Sequence, residues 1–119
     1  MRYVRIVNTT TGETLAERAE LAETFLTRFL GLQGRRSLPV GAGLVLAPTS
    51  SIHMFFMRFP IDAVFIDASQ RVTRVGRRLR PWTVGPFAPG ALCCIELPAG
   101  RAAATEPGHM IEMQPATEA

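Results

Sequence analysis

The chain contains no lysine, so arginine, of which there are thirteen, carries the basic charge. Ten acidic residues offset most of that charge and leave a net charge of +3. The planar guanidinium fork suits carboxylates and phosphates, which favours an anionic ligand, whereas a biased genome composition replaces lysine by arginine without functional meaning. The composition leaves both explanations open.

Cysteine is also scarce, with two adjacent residues, Cys93 and Cys94. Neighbouring side chains on a strand point to opposite faces of a sheet, so these two thiols cannot link distant segments. Two cysteines without a second pair also make no structural zinc site. We therefore predict two reduced, buried thiols, in keeping with a reducing compartment.

Long apolar runs are missing as well. No stretch reaches the about 18 apolar residues that indicate a membrane-spanning helix. The N-terminal "MRYVRIVNTTTGE" lacks the apolar centre of a signal peptide. We therefore predict no membrane span and a cytoplasmic location. With 119 residues, 47% of them apolar, the chain predicts a single domain over residues 1–119 with a frayed tail at 114–119.

The sequence does contain many short strand patterns. Tyr3 to Val7 and Thr14 to Ala19 flank the turn sequence "NTTTGE" and predict an opening hairpin. Ile52 to Phe59 and Ile61 to Ile66 predict two strand segments that are interrupted at Pro60, which cannot donate to a sheet. The stretches "GAGLVL", "ALCCIEL" and "GHMIEM" predict further strands, and "DASQ" predicts a hairpin turn.

One segment has helical periodicity. Its apolar residues share one helix face and predict an amphipathic helix from Leu21 to Leu32; they are Ala22, Phe25, Leu26, Phe29 and Leu30. Prolines and glycines from Arg77 to Gly90 predict a long surface loop. The predicted fold class is therefore mainly β, of the α+β type. It is a compact antiparallel or mixed β-sandwich, or a partly closed barrel, with the one helix packed on it.

The ordered motifs "TRFLGLQGR", "GAGLVL", "SIHMFFMRFPIDAVFID", "CCIELPAG" and "EPGHMIEM" resemble the family known as domain of unknown function 192. The resemblance covers roughly Ala19 to Met113. It implies a compact, mostly β, single-domain fold, and it implies no established activity, substrate or cofactor. His109 follows "PG" where the family often has aspartate, so an acid at that position is not a general catalytic residue.

Asp62 is the most informative single residue. It lies between Ile61 and Ala63 in a strand that is apolar on both faces, and a buried carboxylate costs several kcal/mol unless it is paired or hydrogen-bonded. Candidate partners are the side chains of three arginines, or backbone N–H groups near the proline break; the arginines are Arg35, Arg36 and Arg58. The residue is either a structural anchor or a site acid, and the sequence leaves both open.

Three residues are weak candidates for catalysis, namely Asp62, Glu96 and His53. Glu96 is a second acid in a buried strand, and two such carboxylates are able to act as acid and base on a carbohydrate or another polar small molecule. A metal site built from His53, His109 and an acid lacks any ligand spacing of a known motif. We therefore predict no metal and no cofactor.

Binding is favoured over catalysis. The leading hypothesis is an accessory module that binds a small polar ligand or a protein partner; its candidate binding residues are Arg35, His53, Phe55, Arg58, Asp62 and Trp82. In an extended strand His53 and Arg58 point to opposite faces. As a second alternative, the arginines from Arg71 to Arg80, followed by Trp82, are able to bind nucleic acid by phosphate contact and stacking.

Overall fold

The computed structural model describes residues 2–24 and 31–116. These residues form nine strands: β1 (Tyr3–Asn8), β2 (Glu13–Ala22), β3 (Ala42–Leu46), β4 (Ser51–His53), β5 (Ile61–Ile66), β6 (Val72–Leu79), β7 (Val84–Phe87), β8 (Cys93–Pro98) and β9 (Ile111–Pro115). Seven of them form one sheet in the order β6-β5-β8-β3-β2-β1-β9, and β4 pairs with β7 in a small second sheet. Only β2 and β3 pair in parallel, so the large sheet is mixed.

The two edge strands of the large sheet meet at one end. Arg71, just before β6, forms an isolated antiparallel bridge with Met110, just before β9. The Val72 amide donates to the His109 carbonyl at 2.8 Å, and the Ile111 amide donates to the Gln70 carbonyl at 2.9 Å. The sheet therefore curls into a half-barrel that closes at this end. This confirms the predicted mainly β class and, of the two predicted architectures, corresponds to the partly closed barrel and not to the sandwich.

Both faces of the sheet are buried. The inner face holds an apolar cluster to which all seven strands contribute; its members include Ile6, Leu15, Val45, Val64, Val72, Ile95 and Ile111. The outer face is covered by residues 31–41, 47–60 and 80–92, which are irregular apart from the small sheet of β4 and β7 and are called the outer layer below. A second cluster lies between this layer and the sheet; it includes Leu32, Leu38, Ile52, Met54, Phe65 and Cys94. Double coverage explains why every residue of β5 is buried.

The predicted helix is not supported. Leu21 and Ala22 belong to β2, and residues 31–34 form turns, so the predicted bounds are wrong at both ends. Residues 25–30, the middle of the predicted helix, lie outside the described residues. No helix occurs in the described ranges. Pairing with β3 overrides the helical period at Leu21 and Ala22, which lie opposite Val45 and Leu46, and the Leu21 amide also donates to the Arg2 carbonyl at 2.9 Å.

Three other boundaries differ from the prediction. The strand predicted from Ile52 to Phe59 is wrong beyond His53, because residues 54–60 form turns and bends. The loop predicted from Arg77 to Gly90 is wrong, because β6 runs to Leu79 and β7 occupies Val84–Phe87. The last strand continues to Pro115, into the tail that was predicted to fray. Among the described residues, no helix has the length and apolar character that crossing a bilayer requires.

Candidate functional site

Asp62 is fully buried, with 0% of its surface exposed. A β-bulge in β6 lies opposite it, because the pairing of β5 with β6 shifts by one residue between Ile61 and Ala63. The Arg78 amide that this bulge frees donates to Asp62 Oδ1 at 2.9 Å, and the Ala102 amide donates to Oδ2 at 2.8 Å. Asp62 is thus satisfied by two backbone amides from β6 and the turn after β8, and by none of the arginine side chains in the described ranges.

Glu96 is the other acid in the buried strands. Its surface is 4% exposed, and its Oε1 accepts no hydrogen bond. Burial raises the pKa of Glu96 to about 7, and the nearby Arg35 guanidinium limits the rise. The protonated form of this carboxyl is therefore favoured over a wider pH range than usual, beneath the outer layer.

The two buried acids do not converge. In the pairing of β5 with β8, Asp62 lies opposite Leu97, and Ala63 lies opposite Glu96. Residues directly opposite each other share a face, and successive residues alternate, so Asp62 faces the inner cluster while Glu96 faces the outer layer. His53, the third catalytic candidate, is exposed in the small sheet. These three residues therefore do not line one cleft.

The two thiols follow the same alternation. Cys93 belongs to the inner cluster and Cys94 to the outer one, and neither forms a disulfide. Burial raises the pKa of Cys93 to about 11. Burial, with smaller contributions from Glu96 and Cys93, also raises the pKa of Cys94. The predicted burial and lack of a bridge are confirmed, and both thiols are poor nucleophiles at neutral pH.

Four rings contact one another on the surface of the outer layer, and we call them the aromatic row. The ring centroids of His53 and Phe55 lie 5.2 Å apart, those of Phe55 and Trp82 lie 6.3 Å apart, and those of Trp82 and Phe56 lie 4.9 Å apart. The exposed fractions are 38% for Phe55, 61% for Phe56 and 60% for Trp82. The row therefore presents several large apolar rings to solvent.

Backbone hydrogen bonds fix the two turns that carry the row. The Trp82 amide donates to the Met54 carbonyl at 2.7 Å, and the Met54 amide donates to the Thr83 carbonyl at 2.7 Å. The side chain of Met54 is fully buried below them. The Gly34 amide donates to the Phe56 carbonyl at 3.1 Å, which brings a third segment against the row.

Two residues of the row have an unfavourable backbone conformation. Phe56 has a φ of 64° and Trp82 a φ of 67°, in the left-handed region that favours glycine. A large aromatic side chain at such a position costs about 1 kcal/mol or more, and such residues cluster at functional sites. Since both rings are mostly exposed, core packing does not explain why an aromatic residue occupies either position.

The sequence segment that contains the row has a strongly one-sided charge. Between Thr24 and Ile95 the sequence has nine arginines and two acids. One acid is the buried Asp62, and the other, Asp67, accepts the amides of Ser69 and Arg71 in the turn that its position predicts. The side chains of four exposed arginines in this stretch make no hydrogen bond or ion pair in the described structure; they are Arg36, Arg58, Arg78 and Arg80.

Three arginines of the predicted polyanion cluster have internal partners. The guanidinium group of Arg71 donates to the Gly108 carbonyl, and that of Arg74 to the Phe87 carbonyl. Arg77 donates to the Thr105 carbonyl and pairs with Glu106. The stretch from Arg71 to Arg80 is therefore not a row of free cations, because only two of its five arginines, Arg78 and Arg80, have unpaired side chains in the described structure. The guanidinium group of Arg78 lies beside Gly100, in the turn after β8.

The side chain of Arg35 lines a groove that contains none of the four rings of the row. The Nη2 atom of Arg35 is 3.2 Å from Glu20 Oε2, and the groove, of about 450 Å³, also contains Tyr3, Arg18 and Glu17. The Arg18 guanidinium carbon lies 3.9 Å from the centre of the Tyr3 ring. Because both cations of this groove already have partners, the groove has less free charge than the surface around Arg58 and Arg80.

His109 has a structural position. Its Nδ1 accepts hydrogen bonds from the buried Asn8 side chain at 3.1 Å and from the Glu106 amide at 3.2 Å. Asn8 also donates to Thr105 Oγ1 at 3.2 Å. These bonds link β1 to the turn before β9. No group of three potential metal-ligating side chains occurs in the part of the chain that the structure describes.

The structure thus brings together three of the candidate binding residues, His53, Phe55 and Trp82, with Arg58 in the same turn region. Asp62 lies on the opposite face of the sheet, and Arg35 lies in the separate groove. Sequence reasoning missed Phe56, because it assigned this residue to an extended strand. The adjacent pair "FF" was the available signal that one ring lies outside the core, because neighbouring side chains of a strand point to opposite faces and both rings cannot pack on one face.

Comparison with known families adds a decisive observation. The model of DUF192, described as "Uncharacterized ACR", matches residues 6–113. The chain belongs to the DUF192 family. This result confirms the resemblance carried by the motifs, and the family is one whose function is uncharacterised.

Proteins that are similar to this DUF192 chain include two Thermococcus proteins and one protein of known structure. UPF0127 protein TK1120 of Thermococcus kodakarensis is 34% identical over 119 residues, which cover 95% of this chain and 75% of that protein. A UPF0127 protein of Thermococcus sibiricus is 35% identical over 80% of this chain, which spans 64% of that protein. A crystal structure of a protein of unknown function from Novosphingobium aromaticivorans matches with a TM-score of 0.79 at 25% identity, covering 92% of this chain and 83% of that one.

Proposed function

We propose that this DUF192 protein is a binding module and that the aromatic row is its binding surface. The observation that carries the proposal is the contact of four rings on the surface, two of them at strained backbone positions. Exposed apolar patches of this kind mark interaction sites. The binding surface includes three of the sequence candidates, His53, Phe55 and Trp82, and adds Phe56.

We further propose that the protein is a single-domain module of the cytoplasm. Two apolar clusters share one sheet, which supports a single folding unit. The buried, unbridged Cys93 and Cys94 suit a reducing compartment.

Trp82 makes the proposal directly testable, because it is the only tryptophan in the chain. Anilinonaphthalene sulfonate is an anionic aromatic dye and a suitable first probe. We expect the native protein to enhance the dye emission at neutral pH, with energy transfer from Trp82. We also expect Phe56→Ala to weaken dye binding at least about fivefold, as loss of a stacking ring does in other aromatic sites.

Val40→Ala provides the matched control. Val40 is 84% exposed and lines the separate groove, so its truncation removes exposed apolar surface outside the row. Dye binding should persist in this variant. Absence of dye binding by the native protein, or equal loss in both variants, would refute the assignment of the row as the binding surface.

A further inference from the structure

We infer that the ligand of the aromatic row is single-stranded nucleic acid, with its bases stacked on the rings and its phosphates bound by the free arginines. This inference rests on the proposed function and names the class of ligand. Two independent features carry it. One is the succession of rings, and the other is the distribution of charge around them.

The rings form a succession rather than one isolated contact. Centroid steps of 5.2, 6.3 and 4.9 Å run from His53 through Phe55 and Trp82 to Phe56. Every base has a π-face, so a succession of accessible rings accommodates successive bases with little sequence preference. The backbone bonds of Met54 hold both ring-bearing turns in place before a ligand arrives.

The charge near the row matches a phosphate backbone. Arg58 follows Phe56 by two residues, Arg80 precedes Trp82 by two residues, and Arg36 follows Gly34, whose amide donates to Phe56. None of these three guanidinium groups has a partner in the described structure. The segments that form the outer layer contain no acid, and the carboxylate of Glu20, which reaches this layer from β2, is paired with Arg35.

An anionic membrane would also attract arginine and aromatic residues, but the row is built differently from a membrane anchor. Its rings pack against one another, and hydrogen bonds fix their turns, whereas insertion into a bilayer favours apolar side chains that project separately into lipid. Stacked bases make better use of ring faces that are held in a fixed succession.

The test is titration of the full chain with oligothymidylate of about twelve nucleotides, a length in the range of known single-strand sites. We expect quenching of Trp82 emission and an affinity that falls with salt. Three phosphate contacts would give a slope of about −2 in a plot of log K against log salt. Substituting Arg58→Gln and Arg80→Gln together should reduce that slope by about 1.4. Arg2→Gln, an exposed arginine paired with Glu23, should leave the slope unchanged.

An abasic oligomer of equal length separates stacking from charge. It retains the phosphates and lacks the bases, so it should bind at least about fivefold more weakly than oligothymidylate. Equal affinity for the two oligomers would overturn the inference. So would binding of phosphatidylserine vesicles without any binding of oligothymidylate at low salt.

The dye experiment keeps the two proposals apart. If the dye binds at the row and oligothymidylate does not bind, the nucleic-acid inference fails and the binding surface stands. If neither probe responds to Phe56→Ala, the binding surface itself is wrong.

Discussion

The two faces of the seven-stranded sheet are buried in different ways. The inner face is closed by apolar side chains from all seven strands, and its acid, Asp62, has both oxygens bound by amides. The outer face is covered by irregular chain, contains Glu96 with a buried oxygen that lacks a hydrogen bond, and leaves aromatic rings exposed. The inner face therefore stabilises the fold, whereas the outer face retains the costly features that mark a functional surface.

The largest expected effect is a loss of stability when the inner carboxylate, Asp62, is removed. Asp62→Ala removes both acceptors of the Arg78 and Ala102 amides, and each unsatisfied buried group costs about 1–3 kcal/mol. We expect the free energy of unfolding, measured by urea denaturation, to fall by about 3–5 kcal/mol. Asp62→Asn keeps one acceptor and should lose roughly half as much, which provides a measurable variant if the alanine variant does not fold.

Asp67→Ala is the matched control for Asp62. Its Oδ1 also accepts two backbone amides, from Ser69 and Arg71, but at an exposed turn where water replaces the lost acceptor. We expect a loss below about 1 kcal/mol. Equal losses of stability in Asp62→Ala and Asp67→Ala would show that burial of Asp62 does not make its two hydrogen bonds more important than those of Asp67.

Glu96, the outer acid, should make the free energy of unfolding fall as pH rises. An ordinary paired carboxylate, whose pKa is lowered, makes it rise instead. The ordinary pKa of glutamate is 4.5, and that of Glu96 in the folded protein is about 7. Between these values the folded state holds a proton that the unfolded state has released, so stability falls as pH rises. Across that window, Glu96 should lower the free energy of unfolding by about 3 kcal/mol.

Glu96→Gln measures this contribution, because glutamine mimics the protonated form. Relative to the native chain, the variant should gain stability as pH rises from about 4.5 to about 7, and it should gain nothing further above that window. Glu112→Gln, at an exposed position on β9, controls for removing a charge. A constant difference between Glu96→Gln and the native chain across this window would contradict the raised pKa.

The sequence predicted the inner face better than the outer one. The short apolar runs around Val64 and Ile95 are typical of strands that are buried on both faces, so the strands and the burial of Asp62 could be predicted. The partners of Asp62 could not, because the bulge at Arg78 and the turn at Ala102 depend on pairings distant in the chain. The aromatic row depends on a turn at Phe56 that apolar composition concealed, since a run of hydrophobic residues reads as a strand.

The smallest expected effect concerns the strain in the row. Phe56→Gly relieves a left-handed backbone that costs about 1–2 kcal/mol, and glycine gives back about 0.5–1 kcal/mol through the entropy of the unfolded chain. We expect a net gain of about 0.5 kcal/mol in the free energy of unfolding, together with weaker dye binding. Phe55→Gly is the control, since the neighbouring residue is not among those with positive φ and should lose stability on the same change. If Phe56→Gly is more stable and binds the dye as before, the strain at Phe56 has no role in the binding surface. If Phe56→Gly is more stable and binds the dye more weakly, the outer face retains Phe56 for its ligand at the expense of stability.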